Sequence, residues 1–161
     1  MNGSENKNQL LDLPQFIDVQ SRESFRAFFI VGRANSGKSR FVRKVAGRAQ
    51  GYYLNLLELF MKRPDLSEMI DSFRPEQLER LLLSMESDST LFIVDDIDFL
   101  LNTWTNRTKD EFVNRFLRLR SGVTDKIFCF VVQEDDVFEK VEFRNTMGQA
   151  RILNLHEIAD I

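Results

Sequence analysis

Gly32-Arg33-Ala34-Asn35-Ser36-Gly37-Lys38-Ser39 meets the pattern G-x-x-x-x-G-K-[ST] at every fixed position. An apolar, strand-like run, Phe25 to Val31, precedes it, and a helix-like run, Arg40 to Gln50, follows it. In that setting Gly32 and Gly37 let the backbone take conformations closed to other residues and approach a ligand closely. The loop amides, including those of Asn35 and Ser36, are expected to point inward. They form a concavity for an anion at the positive end of the following helix, where Arg40 lies. Lys38 can reach the β- and γ-phosphates, and the Ser39 hydroxyl can ligate Mg²⁺. The stretch predicts that a nucleotide phosphate binds here.

The bulk of the chain bounds the context. Its 161 residues suit one domain with a real core, and 43% apolar with 29% charged residues is ordinary for a globular protein. Phe is used 15 times, so aromatic packing should dominate the interior. A net charge of −3 supplies no global field for nucleic acid, so any such contact needs a local patch. The single cysteine, Cys129, permits no internal disulfide and points to a reducing, cytoplasmic setting. It lies in the apolar run Ile127-Phe128-Cys129-Phe130-Val131-Val132 and reads as a small core residue. His156 has no Cys or His neighbours to make a metal site. Met1 to Gln9 lack the apolar region of a signal peptide, and no apolar run approaches the roughly 20 residues of a membrane span, so no membrane contact is expected.

Taken in order, Met1 to Asn8 is expected to be a disordered lead. With Gln9 to Gln20 it forms an N-terminal arm over residues 1–20, extended or partly helical around Pro14, ahead of a domain over 21–161. Phe25 to Val31 is the first strand. Ser39 to Gln50 is an amphipathic helix, with Phe41, Val42, Val45 and Ala46 on one side and Gly51 ending it. Tyr52 to Leu56 is a second strand, and Leu57 to Lys62 a short helix halted before Pro64. Asp65 to Phe73 and Pro75 to Met85 are further helices. Leu91-Phe92-Ile93-Val94, ending in Asp95-Asp96, reads as a strand buried on both faces. Thr108-Lys109-Asp110-Glu111 forms a capping box for a helix that buries Phe112, Val113, Phe116, Leu117 and Leu119 and stops at Ser121-Gly122. Ile127 to Val132 is the fourth strand, Asp136 to Phe143 a short helix, and Ala150 to Leu155 a fifth strand. Strands alternating with helices predict an α/β protein: a three-layer sandwich around a five-stranded parallel sheet.

In such a sheet ligands bind at the C-terminal strand ends, where the 32–39 loop, Asp95-Asp96 and Gln133 converge. Asp95 is placed to hold Mg²⁺ directly or through water. Asp96 can orient or deprotonate a water that attacks the γ-phosphate, and Gln133 can hydrogen-bond that water or the phosphate. No Asn-Lys-x-Asp element that would read guanine is present, so ATP is the expected nucleotide.

The run Leu91-Phe92-Ile93-Val94-Asp95-Asp96-Ile97-Asp98-Phe99-Leu100 resembles the Walker B strand of AAA+ ATPases, most of all the initiator clade of DnaA and its short relative Hda. Thr108 to Phe116 is similar to the helix that follows in that family. The likeness runs roughly from Phe25 to Leu155, with only the two Walker motifs specific. It implies a P-loop ATPase core with Gln133 at sensor 1. It also implies Arg144 near the arginine-finger position, with Arg151 a second option, completing the site of a neighbouring subunit. Two departures stand out. The family's helical lid and DNA-binding helix-turn-helix have no counterpart in these residues. Asp96 stands where many active members have glutamate, which implies slow hydrolysis. Size, Tyr53-Leu54-Asn55-Leu56 and the missing lid also give a looser likeness to BrxF, the small ATPase of BREX phage-defence systems.

The expected function is a nucleotide-switched regulator or assembly factor in DNA-related processes, either control of replication initiation or phage defence. A protein partner or self-association would complete its ATP site. A small-molecule kinase is one alternative, with Arg115, Arg118 and Arg120 as the best substitute for an arginine-bearing lid, though Glu111–Arg115 also fits a surface pair. A binding-only nucleotide module is another. DNA could be met through a partner, or through a local face of Arg40, Arg43, Lys44 and Arg48, or of Arg107, Arg115, Arg118 and Arg120. Each set also reads as a solvated helix face.

Overall fold

A computed structural model describes residues 9–161, and the expected lead Met1 to Asn8 lies outside them. Five strands form one sheet: β1 (Ala27–Gly32), β2 (Tyr52–Asn55), β3 (Leu91–Asp95), β4 (Ile127–Gln133) and β5 (Ile152–Asn154). Their spatial order is β2-β3-β4-β1-β5 and every pair is parallel. The cause is visible in the strands themselves. β1 and β3 are buried at every position, and β4 at all but its last, Gln133. Strands that offer apolar side chains to both faces need a helical layer on each.

Alternation sends Phe28, Ile30, Ile93, Cys129 and Val131 to one face. There they meet α1 (Leu13–Gln20) and α2 (Lys38–Arg48) through Leu13, Phe16, Ile17, Val42, Val45 and Ala46. The other face carries Phe29, Phe92, Phe128 and Phe130. It is covered by α3 (Leu56–Lys62), α4 (Pro64–Ser67), α5 (Pro75–Ser84), α6 (Asp98–Leu101), α7 (Asn106–Leu117) and α8 (Asp136–Glu139). The aromatic packing expected from the composition gathers here. Phe116 meets Phe130 edge-on at 4.6 Å, Phe112 meets Phe130 at 5.3 Å, and Phe29 meets Phe112 at 5.6 Å. Each such pair contributes roughly 0.5–1.5 kcal/mol beyond the area it buries.

The arm over Gln9 to Gln20 is partly helical, as expected, with α1 from Leu13 onward packed into the core. Asp12 caps α1 by accepting the Gln15 N–H, and Leu13 and Phe16 are fully buried. Several local expectations are corrected. The helix after the loop ends at Arg48, and Gln50 rather than Gly51 takes the left-handed position (φ +53°). Gly51 donates back to the Ala46 carbonyl at 2.8 Å, and a Cβ on it would meet the Leu91 side chain at 3.0 Å. The box at Thr108 is not the cap of α7. Thr105 is, accepting the Thr108 N–H at 3.2 Å, because the chain is still extended there and turns helical at Asn106. Asp65 to Phe73 is interrupted, giving α4 and a single 3₁₀ turn, Ile70–Ser72. The helix expected over Asp136 to Phe143 stops at Glu139, and an antiparallel turn follows, with Arg144 bridged to Ala150. Asn145 nucleates that turn by accepting the N–H groups of Met147 and Gln149, and Gly148 sits at φ +78°.

Candidate functional site

The strand registers bring the singled-out residues level with one another. Gly32 ends β1 opposite Gln133 at the end of β4, and Asp95 ends β3 opposite Asn55 at the end of β2. β4 lies between β1 and β3, so Gln133 stands between the loop and the acidic pair. A cavity of about 330 Å³ opens at this edge, lined by Ala34 to Arg40, Asp96 and Gln133.

The loop is shaped by two left-handed residues, Asn35 (φ +59°) and Gly37 (φ +83°). Gly37 needs its missing side chain for that conformation. Gly32 needs it for space, since a Cβ there would lie 3.0 Å from the Ser36 hydroxyl and 3.4 Å from Leu155. Gly37 is the N-cap of α2, and no side chain caps that helix. The first turn carries no acidic residue either. Its N–H groups therefore keep their capacity for an anion. Lys38 makes one long hydrogen bond, 3.3 Å to the Arg33 carbonyl. Arg40 is exposed on the cavity rim and Ser39 is half-buried.

The acidic pair is held from β2, a strand whose Tyr53 and Asn55 the sequence marked only through a likeness and gave no role in the site. Asp95 is 1% exposed. Its Oδ2 accepts from the Tyr53 hydroxyl at 2.6 Å and its Oδ1 from the Asp96 N–H at 2.9 Å. Asp96 is left-handed (φ +52°), a conformation unusual outside glycine. Its Oδ2 accepts from Asn55 Nδ2 at 2.6 Å, while Asn55 Oδ1 caps α3 by accepting the Glu58 N–H at 2.9 Å. Asn55 thus ties the orientation of Asp96 to the start of a helix. Burial and the bond to Asp95 raise the Tyr53 phenol to about 12. Arg43 lies over the Tyr53 ring at 5.1 Å. Asp98 accepts the Gln133 N–H at 3.0 Å, and burial raises its pKa against the opposing pull of that bond and of Lys38. The signal for these residues was Tyr53 and Asn55 alternating at the end of a strand beside an acidic one, which becomes legible only once β2 is known to neighbour β3.

Among the described residues no group of three or more His, Cys, Asp and Glu side chains is gathered to hold a metal alone. The donors at this edge still suit Mg²⁺. It is a hard cation that takes one or two protein oxygens and completes its shell with water and phosphate. The Ser39 hydroxyl, which lines the cavity, is such an oxygen; the buried Asp95 carboxylate, whose oxygens already accept from Tyr53 and the Asp96 N–H, would serve through water.

No protein-family model matches the chain, and no curated protein matches it either.

Other expected residues lie elsewhere. Arg144 is exposed and pairs with Glu142 at 2.8 Å and the Gly148 carbonyl at 2.8 Å, outside the cavity. Arg151 cannot act as a finger, because it is 1% exposed. It donates to the carbonyls of Ala27 and Leu117 and lies between the Phe25 and Phe143 rings. Arg118 and Arg120 are at the wrong end of the sheet for a kinase lid. Arg120 bridges Phe25 ahead of β1, seven residues and so about 20 Å from Gly32. Burial pushes the Cys129 thiol far up, consistent with an inert core residue. No helix among the described residues is long and apolar enough to cross a membrane.

Proposed function

We propose that this chain binds ATP with Mg²⁺ at the Gly32–Ser39 loop and is an AAA+-like P-loop ATPase that turns over slowly. The observation that carries it is the convergence on one cavity of an uncapped helix start, Lys38, Asp96 and Gln133. The loop amides and Lys38 would take the phosphates. Asp95 and Ser39 would hold Mg²⁺, which when bound neutralises charge on the phosphate oxygens. Asp96 would accept the proton of the attacking water, and the Gln133 amide would orient that water or the terminal phosphate. The short, anchored Asp96 side chain supports a slow rate. Arg144 is surface-exposed and would have to leave Glu142 and the Gly148 carbonyl to reach a neighbouring subunit; completion of the site by self-association or a protein partner rests on the resemblance. We read the protein as a nucleotide-dependent regulator or assembly factor in DNA-related processes, in replication-initiation control or phage defence. Contact with DNA runs through that partner. The local basic face is weakened, because Arg43 is stacked on Tyr53 and Lys44 is paired with Asp160.

The bond that ties Asp96 to Asn55 favours one second reading, a module that binds nucleotide without hydrolysis. Calorimetric titration with ATP and Mg²⁺, followed by single-turnover phosphate release, separates the two. Wild-type binding that Lys38→Ala weakens about 100-fold or more is expected. Phosphate release abolished by Asp96→Ala supports the ATPase; tight binding with no release supports the module. No binding at millimolar ATP overturns both.

A further inference from the structure

We propose that the free edge of β5 takes a short, basic, extended segment of a protein partner as a sixth strand. The edge site stands whether or not the Gly32–Ser39 loop binds a nucleotide. β5 runs parallel to β1 with Leu153 level with Ile30, and the Phe29 N–H donates to the Arg151 carbonyl. Successive residues of such a ladder alternate, so Leu153 spends its N–H and C=O on β1 while Ile152 and Asn154 turn theirs outward. Among the described residues nothing pairs with the Ile152 N–H, the Ile152 C=O or the Asn154 N–H. The chain fills the backbone ladder on either side of this gap and leaves the gap itself open. Ahead of it the Arg151 N–H donates to the Phe143 carbonyl at 2.9 Å, and beyond it the Leu11 N–H donates to the Glu157 carbonyl at 2.8 Å. An opening so bounded suits a few residues of extended chain. β5 carries neither lysine nor proline, residues that commonly blunt an exposed edge.

Two cavities flank this edge. One measures about 750 Å³ and the other about 180 Å³, and Ala150, Ile152 and Asn154 line both, so they meet across β5. An added strand sends alternate side chains to opposite faces of the sheet, one row toward each cavity. The larger offers Leu10, which is 52% exposed, with Leu11 and Ile158; the smaller offers Phe138, Val141 and Phe143. Charge selects the occupant. Glu134, Asp135, Glu139 and Glu142 line the smaller cavity, Asp12 and Glu157 the larger, and no lysine or arginine lines either. Glu139 makes no ion pair among the described residues. Arg33 meets Glu134 at 3.5 Å and Arg144 meets Glu142 at 2.8 Å, in pairs whose side chains are all more than half exposed. Such pairs contribute little and yield to a competing cation. Asp135 stays with Lys109 at 2.8 Å. The surface therefore fits a strand in which lysine or arginine alternates with aliphatic residues.

The probe is a short, end-capped, fluorescent peptide of alternating lysine and valine, titrated into the full chain and read by anisotropy. It should bind, and the same peptide with glutamate for lysine should bind at least about tenfold more weakly. Copies N-methylated on every valine or on every lysine each lose one row of amide donors, and at least one of the two should weaken about tenfold or more. Amide hydrogen exchange at Ile152 and Asn154 should slow when the peptide is bound. Asn154→Pro removes an outward N–H at an exposed residue whose φ of −92° lies near the proline range, and should weaken the peptide several-fold. Glu139→Lys, at the exposed end of α8, should do so through charge. Should Asn154→Pro fail to fold, Glu139→Lys and the exchange readings decide. Absence of peptide binding at millimolar concentration overturns the edge site. Binding that neither N-methylation nor exchange at β5 registers also overturns it, since charge alone then holds the peptide. Self-association that excludes the peptide gives the edge to a second copy of this chain and overturns the proposal as well.

Discussion

The two ends of the sheet use their polar groups in opposite ways. At the N-terminal ends of the strands, cations are consumed by the chain itself. Arg26 donates to the carbonyls of Ser21, Glu23, Asp125 and Lys126. Lys126 donates to those of Leu82, Leu83 and Met85, closing the end of α5. Arg151 donates to Ala27 and Leu117. At the C-terminal ends the donors are left over. α2 begins with no side-chain cap, and Lys38 has a single 3.3 Å partner. Two of the three left-handed non-glycine residues among those described stand here, Asn35 and Asp96; the third, Gln50, precedes β2 at the other end. Such conformations persist only where surrounding structure enforces them, and they gather at functional sites. At one end the donors are spent within the chain, and at the other the start of α2 and Lys38 keep most of theirs unspent.

Four substitutions test that contrast, from the largest effect to the smallest. Arg151→Met should destabilise by about 3 kcal/mol, because it strands the Ala27 and Leu117 carbonyls in the interior. Urea unfolding should show a lower midpoint with an unchanged slope, and ATP affinity of the surviving folded protein should not move. Asn55→Ala should cost about 1 kcal/mol, the loss of the α3 cap, and should also change phosphate release, since Asp96 loses its anchor. A change in stability alone would reduce Asn55 to a cap. Lys38→Ala should leave stability within about 0.5 kcal/mol while removing nucleotide binding, the reverse of Arg151→Met. If it unfolds the protein, the loop is structural and the contrast between the two ends fails. Tyr53→Phe should cost stability below pH 10, where the hydroxyl still donates to Asp95, and should converge on wild type at high pH. The Tyr53 phenol is raised from 10.0 to about 12 in the folded chain, so its share of stability is present below pH 10 and lost as pH rises through about 12. The variant should lose less stability than wild type across that window, read as the urea midpoint against pH. Parallel curves would remove Tyr53 from the support of Asp95.

Much of the fold was legible because its signals are local. β1, β3 and β4 carry unbroken apolar runs, and α2, α5 and α7 carry stripes at helical spacing. Where the reading missed, short-range chemistry competed. Thr108 with Glu111 fits the capping-box pattern that Thr105 with Thr108 does not, and Gly51 looked a better helix stop than Gln50. The helix expected from Asp136 was cut short by a turn built on Asn145 and Gly148. In the candidate site, the loop and Asp95-Asp96 were visible as a motif and a strand tip. Tyr53 and Asn55 were not, because their partners lie 42 and 41 residues away.

By itself the sequence determined the strand and helix alternation, the glycine loop with its lysine, and a carboxylate pair at the end of an apolar strand. Those follow from side-chain periodicity and from backbone freedom, which act over a few residues. Only the tertiary structure decided the strand order. That order brings Gln133 between loop and carboxylates, sets β2 beside β3 so that Tyr53 and Asn55 hold the acidic pair, and sends Arg151 into the core rather than to a neighbour. Those facts depend on which strands pair across long stretches of chain, and burial of both faces of the three central strands, β3, β4 and β1, holds that pairing in place.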